Sequence, residues 1–120
     1  MKYFFDTYAL FEIYRKNTSY GKFLGEEIVT SSLNLGEFYY GFLKEGKKKS
    51  GLEWFNRLSG MAIRESAETV RKAMEFRHKN RGSKFSYIDC IGYILAREQK
   101  LLFLTGDGQF RGVPGVEFVK

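Results

Sequence analysis

A three-layer α/β/α sandwich around a central, mostly parallel sheet is predicted for this 120-residue chain by three observations. Short apolar runs of strand character alternate with segments of helical periodicity, the pattern of a parallel α/β fold. The runs Tyr3-Phe4-Phe5 and Leu101-Leu102-Phe103-Leu104 each end at or just before an acid, Asp6 or Asp107. Two further acids, Glu37 and Asp89, fall near the starts of amphipathic helices. In an open parallel sheet, strand ends and the following helix starts share one rim, and ligands bind there.

Read in order, Lys2 to Phe5 is a short buried strand, and Thr7 to Arg15 a helix with Leu10, Ile13 and Tyr14 on its apolar side. Asn17 or Thr18 caps a second, short helix through Phe23-Leu24. The β-branched run Ile28-Val29-Thr30 makes Glu27 to Ser31 the second strand. Ser31 or Ser32 opens a helix through Glu37 to about Lys44, with Leu35, Phe38, Tyr39 and Phe42 at helical spacing. Gly46 and Lys47-Lys48-Lys49 mark a solvated bend, and Leu52, Trp54, Phe55 and Leu58 another short helix. Met61 to Arg64 reads as a third strand. Ser66-Ala67-Glu68-Thr69 starts a helix through Val70, Ala73, Met74 and Arg77, followed by a basic loop to Lys84. Ser86 to Arg97 is a helix, Lys100 to Thr105 a strand, and Val116 to Val119 the last strand. The length suits one domain, residues 1–120.

Composition narrows the function. Twenty Lys and Arg against fourteen Asp and Glu leave a net charge of +6. A basic shell around an acidic hole is what a nuclease needs: phosphate attraction outside, metal capture inside. No apolar stretch approaches the roughly 20 residues that span a bilayer. An acid follows too soon after Met1 for a signal peptide, and lone Cys90 has no partner for a disulfide. These features point to the cytoplasm. His78 is the single histidine, which excludes a ribonuclease built on two imidazoles. One His and one Cys cannot make a conventional zinc site either. Gly41 to Lys48 comes within one residue of a P-loop, but Lys48 stands where Ser or Thr would hold Mg²⁺, and a helix lies where a strand is needed.

Each acid has a bland reading beside the functional one. Asp6-Thr7 can cap the first helix, and Glu37 can be an ordinary exposed helix residue. Ser86-Tyr87-Ile88-Asp89 has the spacing of a capping box, and Asp107-Gly108 that of a turn. Capping alone would not select the same sheet edge for all four. Four carboxylates gathered there repel each other unless a cation sits among them, and hard Mg²⁺ or Mn²⁺ prefers such oxygen ligands.

Taken together, the segments Tyr3-Phe4-Phe5-Asp6-Thr7, Ser32-Leu33-Asn34-Leu35-Gly36-Glu37, Tyr87 to Ala96 and Leu104-Thr105-Gly106-Asp107-Gly108-Gln109-Phe110 resemble the PIN domain, and within it the VapC-type toxins of toxin–antitoxin pairs. The resemblance covers essentially the whole chain. It implies an Mg²⁺ or Mn²⁺ site made by Asp6, Glu37, Asp89 and Asp107, and endonucleolytic cleavage of RNA. Thr105 matches the family's hydroxyl residue near the last acid, and Thr7 is expected to act similarly, as partners of the ligands. Many relatives carry a further acid two residues after the last one; here Gln109 stands there, which implies fewer metal contacts. The resemblance also implies a homodimer and a VapB-like antitoxin, for which Phe38, Tyr39, Phe42, Trp54 and Phe55 are a candidate receiving surface or, on the bland reading, core. Lys47, Lys48, Lys49, Arg81 and Lys84, with Lys44, Arg77 and Lys79 beside them, are candidate phosphate contacts. The rival expectation is a PIN-like module that binds RNA or a protein without cutting. A receiver-like signalling domain fits poorly, since Phe5-Asp6-Thr7 offers one acid where that fold wants an adjacent pair.

Overall fold

The computed structural model describes residues 2–120. Strands β1 (Tyr3–Phe5), β2 (Leu102–Thr105) and β3 (Val116–Phe118) form a parallel sheet in that order. Phe4 stands opposite Phe103, and Phe103 opposite Val116. Among the described residues five α-helices accompany it: α1 (Thr7–Tyr14), α2 (Ser32–Lys44), α3 (Lys48–Ser59), α4 (Ala67–Lys79) and α5 (Tyr87–Glu98). Among the described residues no helix is long and apolar enough to cross a membrane.

Strand alternation divides the interior into two cores. Successive side chains of a strand point to opposite faces. Tyr3, Phe5 and Leu104 therefore join Leu10, Leu35, Phe38 and Phe42 on one side. Phe4 and Phe103 join Ala73, Cys90, Tyr93 and Phe110 on the other. Helices α1, α2 and α3 cover the first face and α4 and α5 the second, the expected three layers. Edge-to-face contacts such as Phe11–Phe38 (4.8 Å) and Tyr14–Phe42 (4.7 Å) fill the first core. Phe38 and Phe42 are buried there, so of the five aromatics considered for partner docking these two are interior, with Trp54 and Phe55 packed against them.

Two expected strands contract to single bridges. Val29 pairs in parallel with Phe4, and Ser31 with Ile63. The Phe5 N–H donates to Val29 O at 2.7 Å, and the Ile63 N–H to Thr30 O at 2.8 Å. The run stops at Ser31 because its hydroxyl already caps α2, accepting the Asn34 N–H. The short helix after Asn17 is a 3-10 turn, Thr18–Phe23. Its tighter winding eclipses positions i and i+3, so Tyr20 and Phe23 both reach the core. Helix α4 runs on through Lys79, so Arg77, His78 and Lys79 form its last turn rather than a loop. Cations there face the negative end of the helix dipole.

Candidate functional site

Asp6, Glu37, Asp89 and Asp107 line one cleft of about 420 Å³ at the rim where β1 and β2 end and α5 begins. Asp6 follows β1 directly, Asp107 lies two residues past β2, Asp89 is in the first turn of α5, and Glu37 is in the second turn of α2. Thr7, Tyr8, Phe11, Arg15, Gly106, Gly108 and Lys120 complete the walls. The sheet-edge placement expected for the four acids is what the fold produces.

Asp6 is the buried member, 3 % exposed. It occupies the residue before α1, yet its side chain makes no cap hydrogen bond. The carboxylate is engaged elsewhere. Thr105 Oγ1 donates to one oxygen at 2.7 Å, and Asn34 Nδ2 donates to the other at 3.3 Å. Burial pushes the Asp6 carboxyl up to about 7; the Thr105 hydrogen bond opposes this, and the charges of Asp89 and Glu37 add to it. Asp89 is raised as well, chiefly by burial, against the hydrogen bonds from Ser86, with Asp107 and Glu37 contributing repulsion.

Asp89 caps α5 and lines the cleft at once. Its Oδ2 accepts the Ser86 N–H at 2.9 Å while Ser86 Oγ accepts the Asp89 N–H at 3.1 Å, a complete capping box. Asp107 does the same on a smaller scale, accepting the Gln109 N–H at 3.1 Å to start the 3-10 turn Gly108–Phe110. A carboxylate has about four lone-pair sites, so one cap bond leaves donors for a cation.

Buried hydroxyl and amide groups bind the site together. Thr105, fully buried, also accepts the Asp107 N–H at 3.1 Å, so one hydroxyl spans two acids. Thr7 Oγ1 accepts from Asn34 Nδ2 at 3.0 Å, which ties Thr7 to the same network. Asn34 is the member that sequence reasoning overlooked. It is fully buried, and its amide oxygen accepts from Ser31 Oγ at 2.6 Å. The available signal was spacing: Asn34 lies three residues before Glu37 and three after Ser31, on one face of α2. Gly106 is required by space, since a Cβ there would stand 2.3 Å from the Tyr8 ring and 2.4 Å from Val119 O.

Of the expected phosphate contacts, none lines the acid cleft. Lys47 pairs with Glu45 at 3.5 Å and, with Lys48 and Lys49, begins α3. Arg81 lines a separate basic pocket. Lys84 is held by its backbone: its N–H donates to Gln109 Oε1, and its carbonyl accepts from Gln109 Nε2 at 3.3 Å. Gln109 is thereby turned to the loop before α5. The cations in the cleft are instead Arg15 and Lys120.

The donor set suits a hard divalent ion. Four carboxylates share the cleft, and among the described residues none of the four forms an ion pair with a Lys or Arg. As the side chains stand, no three metal-ligating groups among the described residues close on a single point. Mutual repulsion spreads carboxylates, and a cation draws them together.

Fold and site define a small parallel α/β domain with a carboxylate cleft at its strand ends. A PIN-domain family profile matches residues 3–116, and the chain belongs to the PIN-domain family. The structure is similar to VapC20 of Mycobacterium tuberculosis, described as a sarcin–ricin-loop-cleaving toxin (TM-score 0.80, 17% identity, covering 99% of this chain and 100% of that one). It is also similar to a chain of a Klebsiella pneumoniae toxin–antitoxin complex (0.75, 20%, 98% and 96%). A chain of Rickettsia felis VapBC2 bound to a promoter DNA fragment gives 0.73 at 21% identity, with all of both chains covered. No curated protein matches this chain by sequence.

Proposed function

We propose that this protein is a metal-dependent endoribonuclease, the toxin of a VapBC-type toxin–antitoxin pair, acting in the cytoplasm. The observation that carries the reading is the convergence of Asp6, Glu37, Asp89 and Asp107 from four segments on one cleft. PIN-family membership and the likeness to toxin structures support it. Mg²⁺ or Mn²⁺ would be held by the four carboxylates, and when bound supplies acidity to water and positive charge to the scissile phosphate. Thr105 and Asn34 fix both oxygens of Asp6, so its orientation does not depend on the ion. Arg15 and Lys120 bring positive charge to the cleft's edge, where an RNA backbone would enter. A homodimer and a VapB-like antitoxin are the expected partners.

The test is cleavage of a mixed pool of labelled RNAs with Mg²⁺ or Mn²⁺, wild type beside Asp6→Asn, with EDTA controls. Metal-dependent cutting that disappears in the variant is the expected result. RNA or partner binding with no cutting by wild type would replace this reading with that of a non-catalytic PIN-like module.

A further inference from the structure

A second concavity of about 190 Å³, lined by Met74, Arg77, His78, Arg81, Ser83 and Tyr87, shares the first turn of α5 with the acid cleft. Tyr87 is the first residue of α5, two before Asp89. Positions two apart in a helix diverge by about 200°, so the two side chains leave the first turn of α5 on different sides and a bound strand would pass across the helix start. Tyr87 is 60% exposed, and the Arg77 guanidinium lies over its ring at 4.6 Å. Arg77 is anchored by its Nε, which donates to Phe85 O at 3.1 Å, and among the described residues its outer nitrogens make no hydrogen bond.

The pocket is basic. Among the described residues, Arg77, His78 and Arg81 form no ion pair, and Arg81 Nη1 donates to the His78 carbonyl at 2.8 Å. The edge of the pocket is also fastened to the acid site. Gln109 grips Lys84 of the preceding loop with its side chain while its own N–H binds Asp107. Unmatched cations and an exposed aromatic held in fixed relation to a carboxylate cleft fit a single-stranded nucleic acid, whose phosphates and bases alternate along the strand.

We infer that Tyr87, Arg77 and Arg81 form a subsite for the nucleotide flanking the scissile phosphate: Tyr87 stacks on its base, and Arg77 and Arg81 take its phosphate. The inference takes its substrate, RNA, from the nuclease reading above. The subsite would be sequence-tolerant, since every base presents a stacking face.

The experiment measures binding of a fluorescein-labelled, mixed-sequence 12-nucleotide RNA to the full chain in EDTA, which prevents cutting, and KM and kcat for cleavage with Mn²⁺. Tyr87→Ala is expected to weaken binding about tenfold, while Tyr87→Phe retains it. The Ala variant should bind a fully abasic oligonucleotide of the same length as wild type does. Arg81→Ala should lower the salt dependence of log affinity by about 0.7, the share of one phosphate on a single strand. In cleavage, the Tyr87→Ala loss should appear in KM rather than kcat. Wild-type RNA binding that Tyr87→Ala leaves unchanged would overturn the subsite, as would absence of RNA binding or preference of the pocket for an acidic peptide. The two readings separate cleanly. Tyr87-dependent binding without metal-dependent cutting retains Tyr87 as an RNA contact and removes the nuclease, and cutting with an unchanged KM in Tyr87→Ala does the reverse.

Discussion

The Thr105 hydroxyl donates a 2.7 Å hydrogen bond to the buried Asp6 carboxylate, joining residues 99 positions apart at the ends of adjacent parallel strands. The same oxygen accepts the Asp107 N–H. Thr105→Val keeps the shape and removes both interactions. We expect a loss of about 1–3 kcal/mol in urea unfolding, because the Asp107 N–H loses its acceptor and the carboxylate a donor. Metal-dependent cleavage should fall at least tenfold, and Thr105→Ser should recover most of both. Equal stability of the Val variant and wild type would remove the hydroxyl from this role.

The position of Asp6 on the pH scale makes a signed prediction. Its carboxyl is raised from 3.8 to about 7 in the folded chain. Between those values the native state holds a proton that the unfolded state has lost, so stability declines as pH rises through that window. Thermal melts in EDTA should show this limb in wild type, and Asp6→Asn should flatten it. Mn²⁺ competes with the proton, so its stabilising effect should grow toward pH 7. A wild-type profile parallel to that of Asp6→Asn would contradict the burial argument.

Asp89 separates charge from capping. Asp89→Asn retains an oxygen to accept the Ser86 N–H but removes a repelling charge from the cleft. The metal-free melting temperature should rise, and the added stabilisation by millimolar Mn²⁺ should shrink. Asp89→Ala also loses the capping box and should be less stable than Asp89→Asn by about 1 kcal/mol. Metal-independent destabilisation by Asn would count against an acid cluster at this rim.

Gly106→Ala tests the floor of the cleft. The added methyl meets the Tyr8 ring and the Val119 carbonyl, and the latter is backbone that cannot swing away. Overpacking of this kind costs about 1–3 kcal/mol. A chemical-denaturation midpoint unchanged from wild type would show that the β2 end yields more easily than its packing indicates.

Much of the architecture was legible because its signals are local. Ser31, Ser66 and Ser86 cap α2, α4 and α5 through bonds to residues three positions on, a spacing visible in sequence. The ambiguity between capping and ligand roles for Asp89 and Asp107 had a physical basis, since both do cap. In a parallel sheet the helix starts and the ligand rim are one place. The expected strands around Val29 and Ile63 shrank because β-branched composition reports strand propensity, whereas the number of residues free to pair depends on where the next helix begins.

By itself the sequence determined the order of the α-helices and of β1, β2 and β3, the capping serines of α2, α4 and α5, and the four acids that strand ends and helix starts would carry to one rim. Periodicity and caps act over three or four residues, so they survive without knowledge of the fold. Only the tertiary structure decided that Asn34 and Thr105 hold Asp6, that Gln109 grips Lys84, that Arg15 and Lys120 enter the cleft, and that Arg77 covers Tyr87. Most of these join residues tens of positions apart. The nearer Arg77–Tyr87 contact spans the turn from α4 to α5, so it too depends on how packed elements are brought together and on the few partners that burial leaves each polar group.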